Sequence, residues 1–115
     1  MADLTGPEEP LAAASEAQVE QWIDESGATV VRLGGEVDLS NVAEVRGLLE
    51  PVRQARPDRL VMDLADLRFM DSSGSALLIA VAEPAGSVAL RNPPMLIRRI
   101  VEGAGLAKVL RFESP

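Results

Sequence analysis

Phe69-Met70-Asp71-Ser72-Ser73-Gly74 sets two adjacent hydroxyls and a carboxylate between a predicted buried strand and a predicted helix. Upstream, Arg59-Leu60-Val61-Met62-Asp63-Leu64 is a short apolar run of the kind a central strand makes. Downstream, Ser75 to Ala82 is rich in helix formers. The hexapeptide therefore reads as a strand-to-helix loop. Its residue types suit that place for ordinary reasons: Ser and Asp oxygens accept from the unpaired amides of a helix start, and Gly takes backbone angles that other residues avoid. On this reading Ser73 caps the helix that begins at Ser75. A serine held in such a loop is also within easy reach of a kinase.

Working outward, Met1 to Ala17 has no apolar periodicity and reads as a flexible acidic tail, leaving residues 18–115 as a single domain. Gln18 to Asp24 alternates like an edge strand, and Ser26-Gly27 turns it into a second strand, Thr29 to Leu33, giving a hairpin. Trp22, the only tryptophan, is expected to pack on the domain, with a partner contact as the alternative. Gly34-Gly35 reads as a turn and not as a phosphate cradle, which needs spaced glycines before a helix and a lysine in reach; the only lysine is Lys108. After Asp38, Ser40 and Asn41 are expected helix caps, and Val42, Val45, Leu48, Leu49 and Val52 form an apolar stripe. Pro51 is expected to bend or end that helix. Arg53, Arg56 and Arg59 read as a solvated turn.

Beyond the serine loop, Pro84 stops a helix of barely two turns, and Ser87 to Leu90 makes a fourth short strand. Asn92-Pro93-Pro94 then leads a last helix whose apolar face is Leu96, Ile97, Ile100 and Val101 and which ends at Gly103 or Gly105. Arg98 and Arg99 are expected in solvent. Lys108 to Phe112 closes the chain as an edge strand or an extended packed segment. The order β-β-α-β-α-β-α predicts an α/β fold: a small mixed sheet of four to five strands with three to four helices packed against it.

Composition limits what such a domain can do. The 115 residues suffice for one core. With no Cys and no His, disulfides, thiolate zinc sites, thiol nucleophiles and the usual general base are all missing, so an enzyme is not expected and no cofactor is called for. A net charge of −7 argues against a nucleic-acid partner, whose phosphates would be repelled. The first basic residue is Arg32, too late for a secretory leader. No apolar run approaches the roughly 18 residues that would span a bilayer. The expectation is a cytoplasmic protein without membrane contact.

Three segments in order carry a family resemblance. Gly34-Gly35-Glu36-Val37-Asp38, then Phe69-Met70-Asp71-Ser72-Ser73-Gly74, then Ala104-Gly105-Leu106-Ala107-Lys108-Val109-Leu110-Arg111-Phe112 together resemble the anti-sigma factor antagonists, whose STAS fold is a small mixed sheet backed by helices. The resemblance spans about residues 20 to 113. It departs in the helix after the serine loop, which in the family runs longer and carries polar or basic residues.

The resemblance implies a partner switch. Such a protein, unphosphorylated, binds an anti-sigma factor that is also a serine kinase, and so frees a sigma factor. Phosphorylation of the first serine of Asp-Ser-Ser-Gly releases it, and a serine phosphatase resets it. Carried over, that serine is Ser72, with Ser73 as rival, while Asp38, Asp71, Ser73 and Gly74 belong to the docking surface. Phosphate at the start of a helix is expected to gain some stabilisation from the helix dipole. STAS-like domains also serve as accessory subunits of lipid-transport ATPases and as scaffolds of stress-sensing complexes, which is the alternative reading. A serine hydrolase would need a base, and no nucleophile elbow followed by His exists.

Overall fold

The computed structural model describes residues 13–14, 16–103 and 110–113. Along them run β1 (Ala13–Ala14), β2 (Ala17–Ile23), β3 (Thr29–Val37), α1 (Val42–Ala55), β4 (Arg59–Asp63), β5 (Leu67–Met70), α2 (Ser72–Ala82), β6 (Ser87–Arg91), α3 (Met95–Gly103) and β7 (Arg111–Phe112). One mixed sheet takes the order β1-β2-β3-β4-β6-β7, with β5 also on β3. The hairpin β2–β3 is antiparallel, and β4, β5, β6 and β7 join in parallel. Thr29–Arg32 of β3 pairs with β4, and Gly35–Val37 pairs with β5. The chain thus leaves β3 alongside β4, turns at Leu64–Asp66, and returns to the far end of β3 just before α2.

Period-two alternation sorts the strand residues. Val31, Leu33 and Val37 of β3, Leu60 and Met62 of β4, and Val88 and Leu90 of β6 enter one buried cluster. Val45, Leu49 and Val52 of α1, Leu77, Leu78 and Val81 of α2, and Ile97 and Val101 of α3 join the same cluster. All three helices therefore cover one face. The opposite parity carries a small second cluster, Ala28, Val30 and Val61, and a layer of charge. There Arg32 pairs with Glu20 at 3.2 Å and lies 5.1 Å from the Trp22 ring centroid, so the lone tryptophan packs on the domain with 37% of its surface exposed.

Several expectations change. The serine hexapeptide is not a loop: Phe69 and Met70 end β5, Asp71 is the N-cap, and α2 starts at Ser72 and runs 11 residues, about three turns. Asp71 captures the helix start because its carboxylate reaches the amides two and three residues on, so Ser73 is an interior helical residue and not the cap. Gly34-Gly35 is not a turn either. The strand runs through it to Val37, with Gly35 at φ +86 where the register shifts, and a Cβ there would sit 1.9 Å from the Glu16 carbonyl oxygen. Of the expected tail, residues 1–12 and 15 lie outside the described residues, whereas Ala13–Ala14 pairs with β2 and Ala17 opens β2. The sheet accordingly has seven segments where four or five were expected, because β1 and β5 are too short to register as apolar runs, while β7 takes the first of the two alternatives expected for the closing segment.

Pro51 sits inside α1, which continues to Ala55, since Val45, Leu49 and Val52 are buried and hold the helix on both sides of it. Leu96 is 49% exposed and leaves the face of α3 to Ile97 and Val101, which are one turn apart. Arg98 is not simply in solvent: its guanidinium lies 4.1 Å from the Phe112 ring centroid. The expected end at Gly105, and Lys108, fall outside the described residues; Gly103 is the last residue of α3.

Candidate functional site

At the first turn of α2, sequence and topology bring every expected residue to one place. Met70 is buried, and the Asp71 amide donates to the Val37 carbonyl at 3.3 Å, fastening the helix start to the end of β3. Gly74 permits this contact: a Cβ there would stand 2.8 Å from Met70 Cβ and 3.2 Å from the Val37 oxygen. Asp71 Oδ1 accepts from the Ser73 amide at 2.9 Å, from the Ser73 hydroxyl at 2.5 Å and from the Gly74 amide at 3.3 Å. Asp71 Oδ2 accepts from the Leu39 amide at 3.1 Å, across 32 residues of sequence. These donors, the Ser73 hydroxyl first, hold the Asp71 carboxyl below its ordinary value of 3.8 against the opposing effect of burial.

The serines of this turn have three different fates. Ser72 is exposed, and its hydroxyl has no partner among the described residues. Ser73 is half-buried with its hydroxyl committed to Asp71. Ser75 is buried, and its hydroxyl likewise has no partner among the described residues. Only Ser72 offers an oxygen to an approaching reagent without first breaking a bond or opening the core. The first-turn amides are less open than expected. Asp71 already takes those of Ser73 and Gly74, and the Ser75 amide donates to the Asp71 carbonyl, so a phosphate on Ser72 would face a carboxylate and not a ring of free donors.

Asp38 stands at the end of β3 in a turn of its own. Its Oδ1 accepts from the Ser40 amide at 2.9 Å and the Ser40 hydroxyl at 2.5 Å, and its carbonyl accepts from the Val42 amide at 2.9 Å. Asn41 occupies the N-cap position of α1 without capping by its side chain. Instead it turns back: Oδ1 accepts from the Asp38 amide at 3.0 Å and Nδ2 donates to the Glu36 carbonyl at 2.8 Å, with the residue 2% exposed. Leu39, between these two anchors, is 79% exposed.

The local field is acidic. Glu36, Asp38, Glu44 and Asp71 surround the turn, and no Lys or Arg occurs between Arg32 and Arg46, although Arg68 reaches Glu36 at 3.7 Å. Among the described residues no group of three or more His, Cys, Asp or Glu is placed to hold a metal ion, and no helix is long and apolar enough to cross a membrane. Leu39 and Asn41 were missing from the residues singled out in the sequence for function. The available signal was a lone large apolar residue flanked by turn formers, which is too common to count alone.

A protein-family model described as Mlab, STAS domain matches residues 23–111. The anti-sigma-F factor antagonist RsfB of Mycobacterium tuberculosis is 32% identical over 96 residues, covering 79% of this chain and 77% of its own. Among solved structures, an anti-sigma factor antagonist from Mycobacterium paratuberculosis superposes with a TM-score of 0.70 at 27% identity, covering 86% of each chain. The anti-sigma factor antagonist SpoIIAA, a Bacillus protein, superposes in its unphosphorylated form with a TM-score of 0.62 at 25% identity, covering 84% of this chain and 88% of that one.

Proposed function

The chain belongs to the STAS domain family, and from that premise we propose that it is an anti-sigma factor antagonist, a regulatory binding protein of the cytoplasm. Unphosphorylated, it binds a serine-kinase anti-sigma factor through the surface formed by Asp38, Asp71, Ser72, Ser73 and Gly74, and a sigma factor goes free. The relatives carrying the antagonist name support the partner class. The observation that carries the choice of phosphoacceptor is the contrast between neighbouring hydroxyls, with Ser72 exposed and unengaged and Ser73 held by Asp71.

In the transfer, Ser72 Oγ attacks the γ-phosphorus of the nucleoside triphosphate held by the kinase. A new O–P bond forms, the bond to the bridging oxygen breaks, the diphosphate leaves, and the hydroxyl proton passes to a base on the kinase, since both oxygens of the neighbouring Asp71 are already engaged by the Leu39, Ser73 and Gly74 donors. The product adds roughly −1.5 to −2 charges at neutral pH. That charge sits beside Asp71 and, while the complex lasts, against the phosphates of the departing nucleotide. Repulsion and bulk separate the two proteins without refolding either, and a serine phosphatase restores the hydroxyl.

The test is phosphate transfer followed by mass spectrometry, using the source organism's serine-kinase anti-sigma factor with magnesium and ATP. Wild type takes one phosphate at Ser72; Ser72→Ala takes none and still binds; Ser72→Asp does not bind; Asp38→Ala folds normally and binds more weakly. Full phosphate yield on Ser72→Ala overturns the assignment. Stable copurification with a transport ATPase, indifferent to substitution at position 72, would replace the antagonist reading with that of an accessory subunit.

A further inference from the structure

Six large apolar side chains are exposed among the described residues, and Leu39, at 79%, is the most exposed of them. A single apolar side chain in water is ordinary. What sets Leu39 apart is that it alone of the six lies outside a strand or helix, on a turn whose backbone is nevertheless held. Its own amide donates to Asp71 Oδ2 at 3.1 Å. On one side Asp38 is tied to Asn41 Oδ1, and on the other the Ser40 amide and hydroxyl are tied to Asp38 Oδ1. Asn41 is in turn fixed to the Glu36 carbonyl at the end of β3. A loop with this many bonds has lost its conformational freedom before any partner arrives, so an apolar side chain carried on it can be buried by a partner without further ordering cost to the backbone.

Resting on the antagonist reading, we infer that Leu39 is the apolar anchor of the anti-sigma factor interface, and that Asp71 is the positioning residue that holds it beside Ser72. The occupant is the serine-kinase anti-sigma factor, presenting an apolar socket with basic side chains around it. The socket is required by Leu39, and the basic surround by Asp38, Glu44 and Asp71, with no Lys or Arg between positions 32 and 46 and with the nearby Arg68 taken up by Glu36. The same carboxylate joins both parts of the surface. Asp71 Oδ1 holds the first turn of α2 that carries Ser72, and Oδ2 holds the anchor, so docking on Leu39 sets the register of the phosphoacceptor.

Affinity for the purified serine-kinase anti-sigma factor of the source organism, with magnesium nucleotide present, tests this. Burial of one leucine side chain corresponds to a binding loss of about tenfold or more for Leu39→Ala, while Leu39→Met stays near wild type and Leu96→Ala, an exposed leucine on α3, is unchanged. Asp71→Asn keeps an acceptor for the helix amides but turns a donor or loses an oxygen toward Leu39, so in the free protein the Leu39 amide exchanges with solvent at least severalfold faster while α2 persists. Leu39→Ala binding within twofold of wild type overturns the anchor, and unchanged Leu39 exchange in Asp71→Asn overturns the positioning role. Wild type that fails to bind at all removes the antagonist reading itself, and the anchor with it.

Discussion

At the scale of residues, the site turns on what Asp71 does with its two oxygens. Asp is as good an N-cap as Ser, and here it also draws in the hydroxyl of Ser73, which separates two adjacent serines that look alike in sequence. A pH dependence follows. The Asp71 carboxyl is held below its ordinary value by the Ser73 hydroxyl, Asp24 by the Ser26 hydroxyl, and Glu113 by Arg91. A group depressed in the folded state contributes stability that is fully present above its unfolded value and is lost as pH falls through the lower folded one. Stability is therefore expected to be flat from neutrality to about pH 5 and to fall below about pH 4. Urea midpoints between pH 7 and pH 3 check this, and Asp71→Asn should show a shallower fall than wild type.

Among elements, the end of β3 and the start of α1 are joined by Asn41 more than by a conventional cap. The residue is 2% exposed and bonds the Asp38 amide and the Glu36 carbonyl, so Asn41→Ala leaves buried polar groups unpaired. A cost of about 1–3 kcal/mol is expected, larger than loss of the exposed hydroxyl at Ser40, with faster exchange of the Asp38 and Leu39 amides as the local signature. Asn41→Asp would keep an acceptor and lose the donor to Glu36, and should fall between. Farther along, Arg91 Nε donates to Glu113 Oε1 at 2.7 Å and Arg91 Nη2 donates to Oε2 at 3.1 Å. That two-point contact adds to the buried Leu110, the packed Phe112 and the Glu113 amide's bond to the Leu90 carbonyl at 2.8 Å in tying the closing segment to β6.

For the whole molecule, the described helices all cover one face of the sheet, and the main cluster threads every helix and most strands among the described residues. Met62 lies on β4 between β3 and β6 and is fully buried. Met62→Ala is expected to cost about 2–5 kcal/mol, lowering the melting temperature by roughly 4–8 °C per kcal/mol; Trp22 fluorescence and circular dichroism should lose signal together because one core serves both sheet and helices. A much smaller shift, or two separate transitions, would contradict a single cooperative unit. The opposite face of the sheet relies on Arg32, Glu20, Asp63 and Trp22, with Asp63 only 7% exposed.

The sequence by itself determined the α/β class, the hairpin, the three helices and the two segments that meet at the site, because each rests on local signals: period-two runs, an apolar stripe, turn residues and caps. Its resemblance to the antagonist family also singled out Asp38, Asp71, Ser72, Ser73 and Gly74 together. Only the tertiary structure decided which oxygen caps α2, that Gly35 is a bulge against Glu16 instead of a turn, and that the Leu39 amide closes on Asp71. The cap is a contest between neighbouring oxygens within one turn, whereas the other two outcomes depend on contacts across 19 residues for Glu16 and Gly35, and across 32 for Leu39 and Asp71. A local pattern carries no record of which distant backbone group will arrive to compete for the same acceptor or the same space, and packing of β2, β3 and β5 is what brings them there.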